Sequence, residues 1–225
     1  MLVYGKQTVL YLLEHHAQKI EKIYLSKEVD KNLYHQMMQG NFELVRTKPE
    51  RMQQLCSSGN HQGFLAEISE IELTEVNDLK GMQKIVVLAG LTDVGNIGAI
   101  IRSSFAMGID ALVIGGMKNL NIENLVRTSS GAIFDLPIIH LPNLNDLPNM
   151  LKQFEYTLYG AAMDGVDVKT TSFAEKSALF VGSEGEGLSN RLIKALDQTV
   201  SIKMAHNFDS LNASVATAIL IHEMR

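Results

Sequence analysis

From Lys84 onward, the chain repeats one pattern: a short apolar run, then a loop, then a helix-like segment. The apolar runs include "KIVVLAGL", "DALVIGG", "LYGAAM" and the start of "ALFVGSEGEGLSNRLIKAL". Alternation of strands and helices predicts an α/β fold with a parallel sheet covered by helices on both faces. Ligands of such sheets bind beyond the carboxyl ends of the strands, so the loops that follow the strands are where a site is expected.

The first part of the chain alternates helix and strand patterns over shorter distances. Segments "GKQTVLYLLEHH", "DKNLYHQMMQG" and "PERMQQLCSSG" are typical of helices, whereas "KIEKIYLS", "FELVRTK" and "HQGFLAEISEI" are typical of strands. The stretch "ELTEVNDLKGMQK" has no apolar periodicity and gathers acidic residues. We therefore predict a small α/β domain over 1–70, a linker over 71–83 and a second domain over 84–225.

Composition and length limit the class of protein. The chain has 225 residues, of which 46% are hydrophobic, and the absence of a membrane-length apolar run or a signal-peptide pattern at the start predicts a cytoplasmic protein. Cys56 is the one cysteine, so it forms neither an internal disulfide nor a zinc cluster, and we assign it no role.

Charge gives no sign of a nucleic-acid partner at the level of the whole chain. The net charge is −5, with 9 Lys and Arg against 11 Asp and Glu up to Lys80, and 11 against 14 from Lys84 onward. A nucleic-acid partner therefore requires a local positive patch that forms on folding or on oligomerisation.

The first loop of interest is "LTDVGNIGAIIR". Asn96 stands where the cap of the following helix is expected, and Arg102 lies further along that helix beside Gly98 and Ala99. A capping Asn and a solvated Arg would also explain these residues. The spacing of Gly95 and Gly98 does not fit the G-x-G-x-x-G pattern of dinucleotide sites.

The second loop, "VGSEGEGLS", holds Gly182, Gly185 and Gly187, which allow tight turning and close approach of the backbone to a ligand. Glu184 and Glu186 would repel a phosphate, whereas they would accept a ligand with a sulfonium or an amino group. The loop has no Walker ending, and an ordinary turn with solvated acids is the simpler alternative.

The third loop lies in "SIKMAHNFDSLNASVATAILIHEMR", before a helix with an apolar stripe. Ser210 or Asp209 is predicted to cap this helix. A cap accounts for one polar residue but leaves the remaining polar side chains of the "SLNAS" stretch without a role. His206 is most simply a solvated side chain.

Together, the three loops resemble the three motifs of the SpoU/TrmH family of SPOUT RNA 2′-O-ribose methyltransferases. The segments that resemble these motifs are "LTDVGNIGAIIRSS", "LFVGSEGEGLS" and "SIKMAHNFDSLNASVATAILIHE". The N-terminal unit is similar to the small RNA-binding domain of many members. By this resemblance, the second domain is an α/β fold with a trefoil knot, and the protein is a homodimer. S-adenosylmethionine is the implied cofactor, with no metal needed.

The resemblance also assigns residues. The matching functional side chains are Asn96, Arg102, Glu184, Ser210 and Asn212. The implied cofactor-binding positions are Gly182, Ile202 and Leu211, with Leu91 and Met204 beside them. Guanidinium keeps its proton in proteins, so we assign Arg102 to hold the phosphate next to the target ribose, with Asn212 directed toward Arg102.

One residue departs from the family pattern: Val94 stands where the first motif usually has proline, which removes a restraint on φ but no catalytic group. The implied substrate is a guanosine ribose of large-subunit (23S) ribosomal RNA. The alternatives are a transfer RNA substrate and a non-catalytic RNA-binding protein of the same fold. A dinucleotide oxidoreductase is disfavoured because the glycine fingerprint is missing.

Overall fold

The computed structural model describes residues 1–56, 59–206 and 210–225. Within them, the chain divides into two compact units. The first contains Met1–Glu72 together with Asn121–Phe134, and the second contains Leu73–Leu120 together with Asp135–Arg225.

The first unit alternates strands and helices along Met1–Glu72. Its elements are β1 (Leu2–Tyr4), α1 (Lys6–His15), β2 (Ile20–Leu25), α2 (Lys31–Met38), β3 (Glu43–Arg46), α3 (Pro49–Leu55), β4 (Phe64–Ile68) and a 3-10 helix at Ala17–Lys19. The three helices and the strands β2, β3 and β4 confirm the sequence-based predictions. Strand β1 was not predicted, because three residues are too few for a periodic pattern.

The four described strands of this unit form one mixed sheet in the order β1-β4-β2-β3. Strands β2 and β3 are parallel, and β4 runs antiparallel to both β1 and β2. Cys56 is buried here and packs in a cluster with Met52 and Leu65, as a small apolar side chain does. The segment Asn121–Phe134, with α5 (Ile122–Thr128) and a 3-10 helix at Ala132–Phe134, joins this unit through contacts with β1 and was not predicted.

The second unit contains the longer strand-loop-helix series. Its elements are β5 (Lys84–Ala89), α4 (Val94–Ala106), β6 (Ala111–Gly115), β7 (Ile138–Leu141), α6 (Leu147–Gln153), β8 (Thr157–Asp167), β9 (Ser177–Gly182), α7 (Asn190–Ala195), β10 (Gln198–Ser201), α8 (Ala213–Met224) and 3-10 helices at Val76–Gly81 and Val168–Thr170. Strand β7 and helix α6 were not predicted.

The predicted parallel sheet is confirmed in this unit. Its six described strands have the order β10-β8-β9-β5-β6-β7, and every neighbouring pair is parallel. The central strands β5, β6 and β9 are buried nearly throughout, which explains why they read as continuous apolar runs.

Strand β8 changes register against β10 in its second half. Thr199 pairs with Gly160 but Val200 pairs with Val166, so residues 161–165 have no β10 partner. The hydroxyl of Ser201 donates to the Gly165 carbonyl at 2.7 Å and secures the far side of this irregular segment. The segment 161–165 is thereby held out of the ladder, next to the loops that follow β9 and β10.

The 71–83 segment, which we predicted as a linker, carries the 3-10 helix at Val76–Gly81 with Leu79 fully buried. The hydroxyl of Tyr156 lies 2.7 Å from the main-chain oxygens of both Leu79 and Met82. Burial raises the pKa of Tyr156, so its hydroxyl keeps the proton that it donates. The 1–70, 71–83 and 84–225 boundaries stay a prediction.

Candidate functional site

The three loops identified in the sequence meet in the second unit. One follows β5, one follows β9 and one follows β10, and all three strands are parallel members of the same sheet. Side chains from the three loops contact each other directly, although they are separated by 88 to 116 positions in the chain. The chain topology, rather than local sequence, therefore assembles the site.

Helix α4 begins earlier than the sequence pattern indicated. The cap is Asp93, whose Oδ1 accepts the Asn96 main-chain N–H at 2.7 Å. The prediction that Asn96 is the cap was wrong, because a carboxylate three residues upstream satisfies the same donor and suits the positive end of the helix. Asn96 lies in the first turn, and its side-chain amide is free to make other contacts.

Helix α8 is capped by Asn212. Its Oδ1 accepts the main-chain N–H groups of Ser214 at 3.0 Å and Val215 at 3.4 Å. The prediction of Ser210 or Asp209 as the cap was wrong for Ser210, since Asn212 stands immediately before the first helical residue. Asp209 lies outside the described residues.

A chain of side-chain hydrogen bonds, which we call the amide relay, joins Ser214, Asn212, Asn96 and Glu184. The Ser214 hydroxyl donates to Asn212 Oδ1 at 2.6 Å, and Asn212 Nδ2 donates to Asn96 Oδ1 at 2.9 Å. Asn96 Nδ2 then donates to Glu184 Oε1. Because the cap of α8 requires the Asn212 oxygen, the orientation of both amides follows, and the relay ends on the carboxylate of the Gly-rich loop.

A cavity of about 710 Å³ lies beside the relay. Its lining comes from the irregular part of β8, the Gly-rich loop after β9 and the start of α8, and it includes Gly182, Glu184, Ser210, Leu211 and Asn212. A smaller cavity of about 150 Å³ shares Ser210 and Leu211 and adds Ile202 and Met204. Leu91 is buried and lines neither of these two cavities.

The Gly-rich loop folds back sharply on itself, and its geometry requires glycine at position 182. A Cβ on Gly182 would lie 2.1 Å from the carbonyl carbon of Gly187, and Ser183 forms a β-bridge with Gly187. A side chain at position 182 would therefore force this turn apart. By contrast, a Cβ on Gly185 would meet nothing within 4 Å.

The charged residues that line the larger cavity are all acidic: Asp164, Glu184 and Glu186. Carboxylates around a partly enclosed volume disfavour a phosphate and favour a ligand with positive charge. Ala161, Ala162 and Ile193 add apolar surface to the same wall. The volume and this mixture are those of a site for a small organic molecule with a cationic part.

Arg102 lies on α4, six residues beyond Asn96, and its side chain is exposed. Among the described residues it forms no hydrogen bond or ion pair, and Asn212 contacts Asn96 instead of Arg102. The physical reason is that the Asn212 amide is already satisfied at both ends by the α8 cap and by Asn96. The exposed guanidinium is thus available to a ligand. His206 is exposed and lines neither cavity.

Sequence reasoning missed three participants: Asp93, Ser214 and Asp164. An Asp three residues before Asn96 was a readable cap signal, and Ser214 was noted only as one of several polar residues. Asp164 had no signal, because only the register change in β8 places it in the cavity wall.

Within the described part of the chain, no cluster of three His, Cys, Asp or Glu side chains is arranged to hold a metal ion. In the same residues, no helix has the length and apolar character needed to cross a membrane.

Two family models match the chain in tandem. The SpoU rRNA Methylase family matches residues 83–222, and the RNA 2′-O ribose methyltransferase substrate binding domain matches residues 2–74. A protein of Staphylococcus haemolyticus named for the TrmH family of tRNA/rRNA methyltransferases is 29% identical over 217 residues, which cover 91% of this chain and 87% of that protein.

Solved structures give the same fold over the whole chain. The SpoU methyltransferase AviRb of Streptomyces viridochromogenes, crystallised with its cofactor AdoMet, is 25% identical with a TM-score of 0.82, over 100% of this chain and 88% of that one. A structure described as an RNA 2′-O ribose methyltransferase has a TM-score of 0.80 at 23% identity, over 100% of this chain and 87% of that one.

Proposed function

The chain belongs to the SpoU rRNA Methylase family and is an S-adenosylmethionine-dependent RNA 2′-O-ribose methyltransferase, and we propose that it acts on a guanosine of large-subunit ribosomal RNA. The observation that carries the proposed site is the amide relay, which ties the three motif loops together beside the acidic cavity.

The residues present fit the cofactor. The larger cavity, about 710 Å³, lies within the range of small-molecule sites, and its acidic wall suits a ligand that carries a sulfonium and an amino group. Backbone at Gly182 and Leu211 would hold the adenosine part, with Ile202 and Met204 of the adjoining cavity beside it. Leu91, which the resemblance also suggested, is buried and lines neither of the two cavities.

When bound, S-adenosylmethionine supplies a methyl group that its sulfonium already activates. The protein must then place a ribose 2′-oxygen and manage the loss of its proton. In our proposal, the exposed Arg102 holds the adjacent phosphate and stabilises alkoxide character on the 2′-oxygen. A guanidinium does not give up its proton, so the ribose proton passes to the phosphate or to water.

The remaining predicted site residues position this chemistry. Asn96 and Asn212 fix Glu184 through the relay, and Ser210 contributes to the wall shared by both cavities. Asn212 therefore acts on Arg102 only indirectly, through Asn96, which lies on the same helix as Arg102.

The two alternatives that the sequence left open are testable in the same assay. A transfer RNA substrate would give methylation of transfer RNA but not of ribosomal RNA. A non-catalytic RNA-binding protein would give neither, and calorimetry would detect no S-adenosylmethionine binding. The proposal predicts cofactor binding together with methyl transfer to ribosomal RNA.

Assembly as a homodimer is also part of the proposal. Helices α4 and α8 pack together and leave a mostly apolar cleft of about 430 Å³, lined among others by Met107, Val215 and Ile219. Val215 is 48% exposed, although it is apolar and in a helix. We expect Val215→Glu to shift a dimer to a monomer in light scattering, and an unchanged mass would contradict this interface.

Three further features remain proposals. Family membership supports a trefoil knot at the C-terminal end of the second unit and a cytoplasmic location. It also supports the domain division at 1–70, 71–83 and 84–225, with the first domain binding RNA.

A further inference from the structure

In Met1–Glu72 of the first unit, basic side chains gather at one end of the strands and acidic side chains at the other end. Hydrogen bonds define one end of the sheet: Ser26 N–H donates to the Gly63 carbonyl at 3.2 Å, and Thr47 N–H donates to the Leu25 carbonyl at 2.9 Å. The carboxyl ends of β2 and β3 and the start of β4 lie here.

Six of the eight Lys and Arg residues of 1–72 lie at this end, in the loops, in the first helical turns or, for one of them, at the last position of β3. They are Lys6, Lys27, Lys31, Arg46, Lys48 and Arg51, and all are exposed. We call this set the basic end. Three acidic residues accompany them: Glu28, Asp30 and Glu50.

The opposite end of the sheet is acidic. Only Lys19 and Lys22 lie there, and the Lys22 ammonium is paired with Glu43 at 2.8 Å. The acidic residues at this end are Glu14, Glu21, Glu43, Glu67, Glu70 and Glu72. A unit with nearly balanced total charge therefore presents one positive end, which the net charge of the whole chain conceals.

The ammonium groups of the basic end form no ion pair with the described residues of the protein. That of Lys27 lies over the Phe64 ring, 5.3 Å from its centroid. Unpaired cations on several adjacent loops suit a polyanion, because each neutralised phosphate releases a counterion.

A flat surface lies within the basic end. The guanidinium of Arg46 lies 5.1 Å from the centroid of the Tyr34 ring, and Tyr34 is half-buried while Arg46 is exposed. The ring attracts the guanidinium, and Arg46 is nevertheless exposed to solvent. Unpaired RNA bases stack on such guanidinium planes, whereas bases inside a duplex are not free to do so.

We propose that the basic end of the first unit binds a single-stranded segment of the RNA substrate, with Lys27 and Lys48 on phosphates and Arg46, supported by Tyr34, under an unpaired base. This inference rests on the proposed function for its RNA partner. Its test measures RNA binding and not methylation, so a failure of this inference can be distinguished from a failure of the proposed function.

The first experiment measures binding of the full-length protein to a fluorescein-labelled single-stranded oligoadenylate by anisotropy at several salt concentrations. Lys27→Gln with Lys48→Gln should weaken binding and reduce the slope of log K against log salt by about 1.4, from two lost phosphate contacts. The matched control, Lys19→Gln with Lys22→Gln, removes the same charge at the opposite end and should leave the slope unchanged. Equal effects of the two double variants would overturn the proposal.

The second experiment separates stacking from charge. Arg46→Lys keeps the charge but loses the plane, so affinity should fall at least about fivefold while the salt slope is unchanged. Tyr34→Phe keeps the supporting ring and should bind as the wild type does. Wild-type affinity in Arg46→Lys would refute the stacking role.

Cofactor binding by calorimetry serves as the control for folding and for the second unit. Loss of RNA binding at the basic end in a protein that methylates no RNA would leave this inference standing while the proposed function fails. If the Lys27 and Lys48 variant methylates RNA fully and binds RNA as the wild type does, the proposed function stands and the RNA-binding role of the basic end fails.

Discussion

Asn212 has two tasks in the structure, and Asn212→Asp separates them. Its Oδ1 caps helix α8, and its Nδ2 donates to Asn96 at 2.9 Å. Asp caps a helix about as well as Asn, so the contribution of the cap to the free energy of unfolding should change by no more than a few tenths of a kcal/mol. The aspartate has no N–H to donate, so the relay should fail at this point.

The expected loss of activity in Asn212→Asp follows from the direction in which the hydrogen bonds of the relay are donated. Asn96 can turn its NH₂ group toward the new carboxylate at position 212 only by turning its oxygen toward the Glu184 carboxylate. A hydrogen bond to a charged group contributes about 1.5–3 kcal/mol, and exposure of these side chains favours the lower figure. We therefore expect kcat/KM to fall about tenfold or more, since about 1.4 kcal/mol corresponds to a factor of ten.

The assay compares methyl transfer with thermal unfolding for Asn212→Asp and for Asn212→Ala. The alanine variant should lose both activity and about 1 kcal/mol of stability, because it also lacks the cap. Adding Glu184→Gln to Asn212→Asp supplies a donor to the turned Asn96 oxygen and should restore part of the kcat/KM that Asn212→Asp loses. If Asn212→Asp keeps wild-type kcat/KM and cofactor affinity, the relay does not position the site.

Four other outcomes follow from the structure. Arg102→Ala should abolish methylation but leave S-adenosylmethionine affinity by calorimetry unchanged, and retained turnover would contradict its role. Gly182→Ala should lower that affinity, because its Cβ would lie 2.1 Å from backbone, whereas Gly185→Ala should behave as wild type in the same titration. Tyr156→Phe should lower the free energy of unfolding in urea by about 1 kcal/mol, since a buried hydroxyl contact to main-chain oxygens is lost. Asp197→Asn should lower Tm at neutral pH but not in acid. Burial raises the pKa of Asp197, but hydrogen bonds from a lysine and a main-chain N–H outweigh burial, so the pKa in the folded protein is lowered. The stability that a lowered folded pKa gives is lost as the pH falls through that pKa.

Some strands were predictable from the sequence because their apolar residues form a continuous run. Strands β5, β6 and β9 are buried nearly throughout and appear as unbroken apolar runs. Strand β1 has three residues, which is too short for any periodicity to be distinguished. The position of Asn121–Phe134 with the first unit depends on tertiary contacts that no local pattern reports.

The start of α4 shows how helix propensity misled the sequence interpretation. Gly95 and Gly98 lower the intrinsic helix propensity of the first turns, so the segment before Ile97 read as a loop. In the structure, the helix begins at Val94 because Asp93 caps it. Tertiary packing of an apolar face, with Ile97, Ile100 and Ile101 buried, outweighs the glycines.

For the candidate site too, some features were predictable from the sequence and others were not. The resemblance to the family motifs selected Asn96, Glu184 and Asn212, and the structure shows that they contact each other. Their contacts with each other were not predictable, since they depend on three loops meeting at one edge of a sheet. The sequence suggested an Asn212 contact with Arg102, and the structure places Asn96 there instead.

The three loops together form the site at which we expect methyl transfer to a ribose 2′-oxygen. The most direct measurement incubates the purified protein with S-adenosylmethionine and ribosomal RNA from cells that lack it, and then maps 2′-O-methyl groups by nucleotide. We expect one new mark, on a guanosine of the large-subunit RNA, that is missing with Arg102→Ala. Unmodified RNA, or a methyl group found on a base, would contradict it.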